Sequence, residues 1–571
     1  MERTQRRWHR LTIGGAAIAL AVGLVAACSS SSTESGGGSS GTAGQSPANG
    51  TTPPQPDVTI AASGTPKTGG TLRYGLEAET DGFNPTVNRW AISGTQVGLA
   101  VYDPLVALDV DGKGQPYLAE SLTPSNDYKT WTIKLRSGIS FHDGTPLTSA
   151  AVKKVFDEHK ASALTSASVT PIESVSTTDD LTAVVQMKSP WAVFPNALTG
   201  QLGVVPAPSM FDAADKGGRA PVGTGPFKFK DWVPDKQFTA VKNPSYWRKD
   251  TSGTQLPYLD EVDFLPLPET QSRVNSLKSG QIEMMHTNDA KSIIDIRKLA
   301  SEGTIQKVED TGESEEGFIL LNTVAPPFDN LKARQALAYA TDTATYVESL
   351  DYGVLAPANN VFTPNSPWLV PTDYPSYDPA KAQQLVNEVK AEKGDFKFKI
   401  SGGGPDTRDN LQALQAMWQA VGMDVEVDIV DQASFIPTAV LGKYQANLWR
   451  QFGSPDPDSD YLWWTSENAK PVGELALNMA RNKDPELDKG LRIGRENTDF
   501  AKRKEGYAIV QQRMAADLPY IWLDHAQWVV AAKNNVRNIT NGPLPGGQQS
   551  YPIGGSGFPG VTRLTQVWLA S

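Results

Sequence analysis

The sequence predicts an α/β protein that folds into more than one lobe. About 505 residues follow an N-terminal segment that looks unfolded, too many for one ordinary core. No apolar run long enough to span a membrane follows Cys28, so we expect a globular body. Strand-like apolar runs alternate with segments of helical apolar spacing. The runs are Thr132–Leu135, Phe318–Leu321, Val425–Val430 and Trp528–Ala532, and the helical segments are Asn330–Ala340, Pro379–Glu392 and Asn410–Val421.

Residues 1–27 have the layout of a signal peptide. Four arginines precede an uncharged run of 17 residues from Leu11 to Ala27, and small residues stand before Cys28. A charged start, an apolar middle and a small-residue end are the three parts of an export signal. Arg6 and Arg7 leave both the general and the twin-arginine export routes open.

Cys28 is the only cysteine of the chain and stands where a signal peptidase cuts before a lipidated residue. We therefore expect Cys28 to carry lipid, such as palmitate, and to anchor the protein to a membrane. A body without cysteine has no disulfide, no thiolate metal site and no cysteine nucleophile.

Residues 28–65 are rich in Ser, Gly, Thr and Pro and contain few large apolar side chains. Such a composition buries too little apolar surface to fold, which predicts a disordered tether between the anchor and the body. Removal of residues 1–27 takes away four Arg and one Glu and lowers the formal net charge from −11 to −14. An acidic surface argues against nucleic acid as a partner.

A series of motifs identifies a family when their order and spacing are taken together. They are Gly69–Leu72, Gly82–Pro85, Tyr102–Val106, Pro116–Ser121, Trp131–Thr148, Gly223–Phe227, Asn243–Trp247, Leu277–Glu283 and Asp329–Leu337. In this order they resemble the family 5 extracytoplasmic solute-binding proteins of ABC transporters, which include periplasmic dipeptide- and oligopeptide-binding proteins. Within Trp131–Thr148, Asp143-Gly144 is typical of a turn, beneath which we expect Phe141 to pack. His142 is expected to be a structural histidine.

The resemblance implies a two-lobed, periplasmic-binding-protein-like (type II) fold with hinge crossover strands and an extra subdomain in the first lobe. It places lobe I at residues 66–319, lobe II at 320–526 and the return to lobe I at 527–571. Residues 317–322 and 522–527 would be the hinge, about which the lobes close on a ligand.

The resemblance also places the ligand cleft near residues 88–95 and 449–458. The expected ligand contacts are Trp90, Ser93, Thr95, Trp449, Arg450, Phe452, Gly453, Asp456, Asp458 and Trp463. At least one of the neighbours Trp463 and Trp464 is expected in the core. No catalytic residue, metal ligand or cofactor is expected.

Gly453 departs from the peptide-binding pattern, because peptide binders commonly have an acid there that grips the amino terminus. Asp456 is then the nearest acid that could meet that terminus, although it could instead cap the following turn. Arg450 is suited to a bidentate grip on a carboxylate. A surface ion pair is an equally weighted alternative for Arg450.

These features predict a substrate-binding lipoprotein of an ABC importer, which captures short peptides and delivers them to permease and ATPase subunits. We expect a monomer on the extracytoplasmic face of the cell membrane. A sugar, a nickel chelate or a lipid-like conjugate is an alternative ligand, and a regulatory envelope lipoprotein without transport is an alternative role. An enzyme is not expected, since no zinc-protease or phosphate-loop motif is present.

Overall fold

The computed structural model describes residues 57–61, 63–88, 90–404, 407–554 and 559–570. The predicted signal peptide, Cys28 and most of the predicted tether lie outside these residues. Among the described residues, no helix is long and apolar enough to cross a membrane.

The described strands alternate with helices along most of the chain, as the α/β prediction requires. The strands are β1 Asp57–Thr59, β2 Thr71–Leu76, β3 Val106–Leu108, β4 Gly114–Pro116, β5 Ala119–Ser125, β6 Thr130–Leu135, β7 Ile172–Asp179, β8 Thr182–Met187, β9 Phe227–Val233, β10 Gln237–Lys242, β11 Glu261–Pro266, β12 Met284–Thr287, β13 Ile305–Leu321, β14 Ala356–Pro357, β15 Lys397–Gly403, β16 Asp424–Val430, β17 Ala446–Phe452, β18 Tyr520–Lys533, β19 Val536–Arg537 and β20 Trp568–Leu569. The helices are α1 Ile92–Val101, α2 Ser149–Ala161, α3 Phe194–Ala197, α4 Thr270–Ser279, α5 Ala290–Ser301, α6 Leu331–Ala340, α7 Thr343–Leu350, α8 Pro379–Lys393, α9 Arg408–Ala420, α10 Gln432–Val440, α11 Tyr461–Trp464, α12 Pro485–Glu496 and α13 Phe500–Asp517.

Local chemistry explains where several helices begin. The Asp378 carboxylate accepts a hydrogen bond from the Lys381 amide at 2.9 Å, and Pro379 follows as the first residue of α8. Asp484 and Pro485 start α12 in the same way. A capping side chain satisfies an amide that the helix leaves unpaired, and proline has no amide to leave unpaired at that position. The predicted helices therefore appear close to their expected positions.

The central sheet runs through both lobes. Its strand order is β16, β15, β17, β13, β18, β12, β2, β11, β10 and β9. The first three strands belong to the second lobe and the last five to the first lobe. The long antiparallel strands β13 and β18 connect them, since β13 pairs with β17 and β18 pairs with β12. These are the crossover strands of a two-lobed fold.

Separate hydrophobic cores support the two lobes. In the second lobe, the sheet packs on one face against α6, α8 and α9 and on the other against α12 and α13. A further sheet of four strands, β5, β6, β8 and β7, packs against α2 and forms the extra subdomain of the first lobe. Both crossover strands continue through each lobe, so the exact residue limits of the lobes stay predictions.

The turn at Phe141–Thr148 confirms two sequence predictions. Phe141 is buried, and the Thr145 amide donates to the Asp143 carboxylate at 2.9 Å across the Gly144 turn. The His142 ring contacts the Gly225 carbonyl at 3.0 Å and accepts from the Gly223 amide at 3.3 Å. His142 is therefore a structural histidine that ties two of the sequence motifs together.

Strand β1 differs from the prediction of a tether up to residue 65. Asp57, Val58 and Thr59 pair antiparallel with Glu309, Val308 and Lys307 of β13. The pairing uses the edge of β13 that lies beyond its contact with β17. The composition that predicted disorder was right about burial, since all three residues are exposed, but backbone pairing does not need buried side chains.

Candidate functional site

The two lobes meet at Gly317 on the first crossover strand. Arg450 of β17 is the residue opposite Gly317 on one side, and Asp524 of β18 is opposite on the other. A Cβ atom at position 317 would lie 2.5 Å from Oδ2 of Asp524. The glycine therefore leaves the space in which the Asp524 carboxylate lies.

Arg450, a second-lobe residue, contacts one carboxylate of a crossover strand and one of the first lobe. Its Nη1 atom lies 3.3 Å from Oε1 of Glu315 on β13, and its Nη2 atom lies 3.8 Å from Oε1 of Glu77, which follows β2 in the first lobe. The Arg450 side chain is 46% exposed, whereas that of Glu315 is 1% exposed. Arg450 thus forms an ion pair, as one alternative expected, but the pair spans the lobes.

Burial dominates the electrostatics of this region. It raises the pKa of Asp524 to about 8, with further contributions from the charges of Asp351 and Glu315. It also raises the pKa of Asp351 to about 6 and shifts the pKa of Glu315 in the same direction, although Arg450 opposes the shift at Glu315. Carboxyl groups at the crossover strands therefore tend toward the neutral form.

Asp456 is engaged by an arginine of its own lobe. Its carboxylate accepts hydrogen bonds from Nη1 and Nη2 of Arg503 at 3.0 and 2.6 Å, and it also accepts the Asp458 amide at 2.9 Å. Asp456 is 6% exposed. In this structure the oxygens of Asp456 pair with a charged side chain and cap the following turn, as one alternative expected, and its role as an acceptor for a peptide amine stays a prediction.

Asp458 has the same kind of environment. Nε and Nη2 of Arg495 donate to it at 2.7 and 3.2 Å, and Nε1 of Trp191 donates at 2.8 Å. The Arg495 guanidinium also lies over the Trp191 ring at 4.5 Å from its centroid. Asp458 is therefore a structural acceptor in this conformation and not an open ligand contact.

Trp191 and Asn196 belong to the first lobe, so these contacts join the lobes. Nδ2 of Asn196 donates to Oδ2 of Asp456 at 2.8 Å, and the Ala192 amide donates to the Arg495 carbonyl at 2.9 Å. We call the set Trp191, Asn196, Asp456, Asp458 and Arg495 the interlobe latch. The motif reasoning missed Trp191 and Asn196, because nothing near them in sequence marks a contact over 260 residues away.

Trp449 and Trp463 are half-buried, which leaves part of each ring accessible. The Trp449 ring lies 5.2 Å from that of Phe435, and Trp464 is buried in the second lobe's core, as expected for one of the tryptophan pair. Gly453 is buried. The Phe452 backbone pairs with Glu315, while the Phe452 side chain lies outside the described part of the structure.

The predicted contacts of the first lobe are buried around α1. Nε1 of Trp90 donates to the Gly82 carbonyl at 3.1 Å, and the Trp90 ring covers Gly94 and Gly98. Trp90 is therefore packed in the core of the first lobe in this structure, and its assignment as a ligand contact stays a prediction. Ser93 accepts the Ala78 amide at 3.2 Å, and the buried Thr95 hydroxyl has no hydrogen-bond partner among the described residues.

Sequence reasoning also missed the carboxylates at the crossover strands. They are Glu77, Glu315, Asp351 and Asp524. For Glu315, the sequence signal was the acidic stretch that leads into the predicted hinge strand at Phe318–Leu321. Among the described residues, no group of three or more His, Cys, Asp or Glu side chains is placed to hold a metal ion.

The model of the bacterial extracellular solute-binding proteins, family 5, matches residues 113–471. The chain belongs to this family. A putative ABC transporter peptide-binding protein of Brucella ovis is 28% identical over 522 residues, which cover 85% of this chain and 93% of the relative.

Solved structures of binding proteins have the same fold. DppA of Helicobacter pylori, solved in complex with the peptide STSA, is 22% identical with a TM-score of 0.76 and covers 88% of this chain and 99% of its own. AgaA of A. tumefaciens R10, solved in complex with agropinic acid, is 25% identical with a TM-score of 0.74 and the same coverage of 88% and 99%. A two-lobed periplasmic binding protein fold is therefore shared across ligands of different chemistry.

Proposed function

We propose that this chain is the substrate-binding lipoprotein of an ABC importer, which captures short peptides between its lobes and delivers them to permease and ATPase subunits. The observation that carries the proposal is the contact of Arg450, a second-lobe residue, with Glu77 of the first lobe and Glu315 of the crossover strand in a family 5 protein. The peptide-binding name of the Brucella relative and the peptide in the Helicobacter structure support the ligand class.

Arg450 is the proposed grip for a ligand carboxylate. Its guanidinium is half-exposed, and its contact with Glu77 at 3.8 Å is long for an ion pair. A ligand carboxylate can therefore replace Glu77 at the guanidinium without breaking a short bond. Trp449 and Trp463 would supply ring surface beside it, and Ser93, Thr95, Phe452 and Gly453 would line the remaining cleft.

The membrane attachment is proposed from the sequence. Cys28 would carry the lipid, and the segment after it would hold the folded lobes at the extracytoplasmic face as a monomer. The lobe limits at residues 319, 320, 526 and 527 belong to the same proposal. The chain would bind its solute and release it unchanged, with no turnover.

A small non-peptide solute is the second candidate. AgaA holds agropinic acid on the same fold, so the fold itself does not select a peptide. A sugar, a nickel chelate or a lipid-like conjugate remains in this class, and a regulatory role without transport is compatible with the same cleft.

Mass spectrometry of the solute that copurifies with the native protein tests these candidates. A ladder of short peptides, released on denaturation and absent from a mock purification, is the expected result. A single non-peptide compound would instead support the second candidate and contradict the peptide proposal.

Arg450→Ala tests the proposed grip, with Arg513→Ala as a matched control. The Arg513 side chain is 37% exposed, compared with 46% for Arg450, and it pairs with two carboxylates, Asp484 and Asp517, within its own lobe. We expect Arg450→Ala to weaken binding of the copurifying solute by about tenfold or more, because a charge contact in the cleft is lost. Equal affinities of both variants and the parent, measured by tryptophan fluorescence, would contradict this role.

A further inference from the structure

The Asp524 carboxylate is buried at the crossover strands without a charged partner. Its side chain fills the space above Gly317, and the residue is only 9% exposed. No hydrogen bond or ion pair to this carboxylate comes from any part of the chain that the structure describes. A buried carboxylate normally has a cation or several hydrogen-bond donors beside it, and Asp524 has neither among the described residues.

The groups around Asp524 are mostly acidic. Glu315 and Asp351 both raise its pKa, and one oxygen of Asp351, Oδ2, is fully buried and has no hydrogen-bond partner among the described residues. Arg450, across Gly317 from Asp524, is the cation that pairs with members of this group in the described structure, and it contacts Glu315 and Glu77. The charged and titratable groups from the surrounding elements are Glu77, Arg273, Asp289, Glu315, Glu316, Tyr346, Asp351, Arg450 and His525.

Arg450 pairs with Glu315 and Glu77, and the buried Arg273 interacts with Glu77 and Asp289, so among the described residues no cation lies beside Asp351 or Asp524. Without another cation, burial keeps Asp524 protonated at neutral pH, with a pKa of about 8. An ammonium or guanidinium ion beside Asp524 would reverse this, because an opposite charge at close range favours the ionised acid. One positive charge beside Asp524 would therefore stabilise its ionised form.

The location makes the solute the source of that charge. Gly317 and Asp524 lie on the strands that join the lobes, and the Arg450–Glu77 contact shows that residues of both lobes converge there. Arg450 is half-exposed, so the region is reached from solvent.

We propose that Asp524, with Glu315 and Glu77, binds a cationic group of the solute, either an ammonium or a guanidinium ion. This inference rests on the proposed function, solute capture between the lobes, and names the chemical class of the solute. Arg450 then binds the carboxylate of the same solute on the other side of Gly317. The solute is thus zwitterionic or basic.

Binding of a cation to Asp524 is coupled to proton release. Below a pKa of about 8 the free protein holds a proton on Asp524, and the bound cation displaces it. Affinity for a cationic solute therefore rises as the pH increases from 6 to 8 and is lost as the pH falls. A neutral solute has no such dependence at this group.

Isothermal titration calorimetry with four matched tripeptides and putrescine tests the proposal on the purified protein. The peptides are Ala-Lys-Ala, its N-acetyl form, Ala-norleucine-Ala and its N-acetyl form, which separate a terminal ammonium from a side-chain cation. Titrations in buffers of different ionisation enthalpy give the number of protons released. Asp524→Asn is the test variant, Glu77→Gln is a second one, and Asp310→Asn is the control, since Asp310 is a buried acid of the neighbouring strand β13 whose pKa is also raised.

We expect a peptide with a cationic group to bind at least about tenfold more tightly than N-acetyl-Ala-norleucine-Ala, which has none. Its binding should release roughly one proton at pH 7. Asp524→Asn should abolish the proton release and the preference, while Asp310→Asn should keep both. If N-acetyl-Ala-norleucine-Ala binds with the same affinity as the cationic peptides, or if Asp524→Asn releases as many protons as the parent, the cation site is overturned and peptide capture stays intact. If putrescine alone binds with proton release, the cation site stands and the peptide proposal fails. If no probe binds, both fail.

Discussion

At the scale of single residues, Asp456 shows that a motif can be located from sequence while the partners of its side chains cannot. Its position next to Pro457 and Asp458 matched the cleft-lining turn, and its charge suggested an amine ligand. The deciding partner, Arg503, is 47 residues away in sequence and is brought to it by α13. Only the folded chain brings the two together, so sequence spacing could not show that the carboxylate was already neutralised.

Asp456→Ala is expected to destabilise the fold more than it weakens ligand binding. It leaves the buried Arg503 guanidinium without its bidentate partner, which costs about 3–5 kcal/mol in comparable buried pairs. Urea unfolding of the ligand-free protein measures the loss. The double variant Asp456→Ala/Arg503→Met should recover much of it, because no uncompensated charge remains; additive losses would show that the ion pair is not what stabilises this turn.

At the scale of secondary structure, regular elements were predictable and the crossover strand was not. The prediction of a helix at Pro379–Glu392 came within one residue of α8, because its capping residue and apolar spacing agree. For β13, only Phe318–Leu321 was predicted, yet the strand begins at Ile305. Its first part contains acids such as Glu309 and Asp310, which look like a loop in sequence but are paired in the middle of the sheet.

Gly317→Ala tests whether the crossover strands require a residue without a side chain at position 317. The new Cβ would lie 2.5 and 2.8 Å from the two Asp524 carboxylate oxygens, so we expect a loss of about 1–3 kcal/mol in unfolding free energy. The loss should become small in an Asp524→Ala background, where the space is empty. A loss of the same size in both backgrounds would assign it to the glycine backbone rather than to the Asp524 carboxylate.

At the scale of the whole molecule, the family and the two-lobed fold followed from the order of the motifs, whereas the contacts between lobes did not. Several of the motifs form turns inside a lobe, such as the one at His142. The interlobe latch depends on side chains of different lobes that lie 260 or more residues apart in sequence, and each member has an ordinary sequence context. A cleft can therefore be located approximately from sequence while its closing contacts stay hidden.

Trp191→Phe is expected to loosen the closed arrangement of the lobes. The change keeps an aromatic ring beside Arg495 but removes the donor to Asp458 at 2.8 Å. Small-angle X-ray scattering of the ligand-free protein should show a larger radius of gyration. Trp247→Phe is the control, because it removes an equal 2.8 Å bond to Asp103 within the first lobe; the same expansion in both variants would refute a specific latch.

Two deletions separate the predicted tether from β1. Removal of residues 29–56 should leave the melting temperature unchanged, since the composition of that stretch predicts no buried area. Removal of residues 29–60 also takes away β1 and the 2.7 Å contact between Lys307 and Asp57, and a drop of about 1–3 °C is expected. Differential scanning calorimetry of both proteins gives the comparison. Identical melting temperatures would mean that β1 adds nothing to stability.

Strand β1 also sets where a mechanical load would enter the molecule. Because Asp57–Thr59 pair with β13, any pull from the N-terminal side acts on a crossover strand and not on the tip of a lobe. A point close to the hinge axis moves little when the lobes rotate about it, whereas the far end of each lobe moves most. A tether attached at this point would leave both lobes free to turn toward a docking surface. Opening of the lobes would not stretch it.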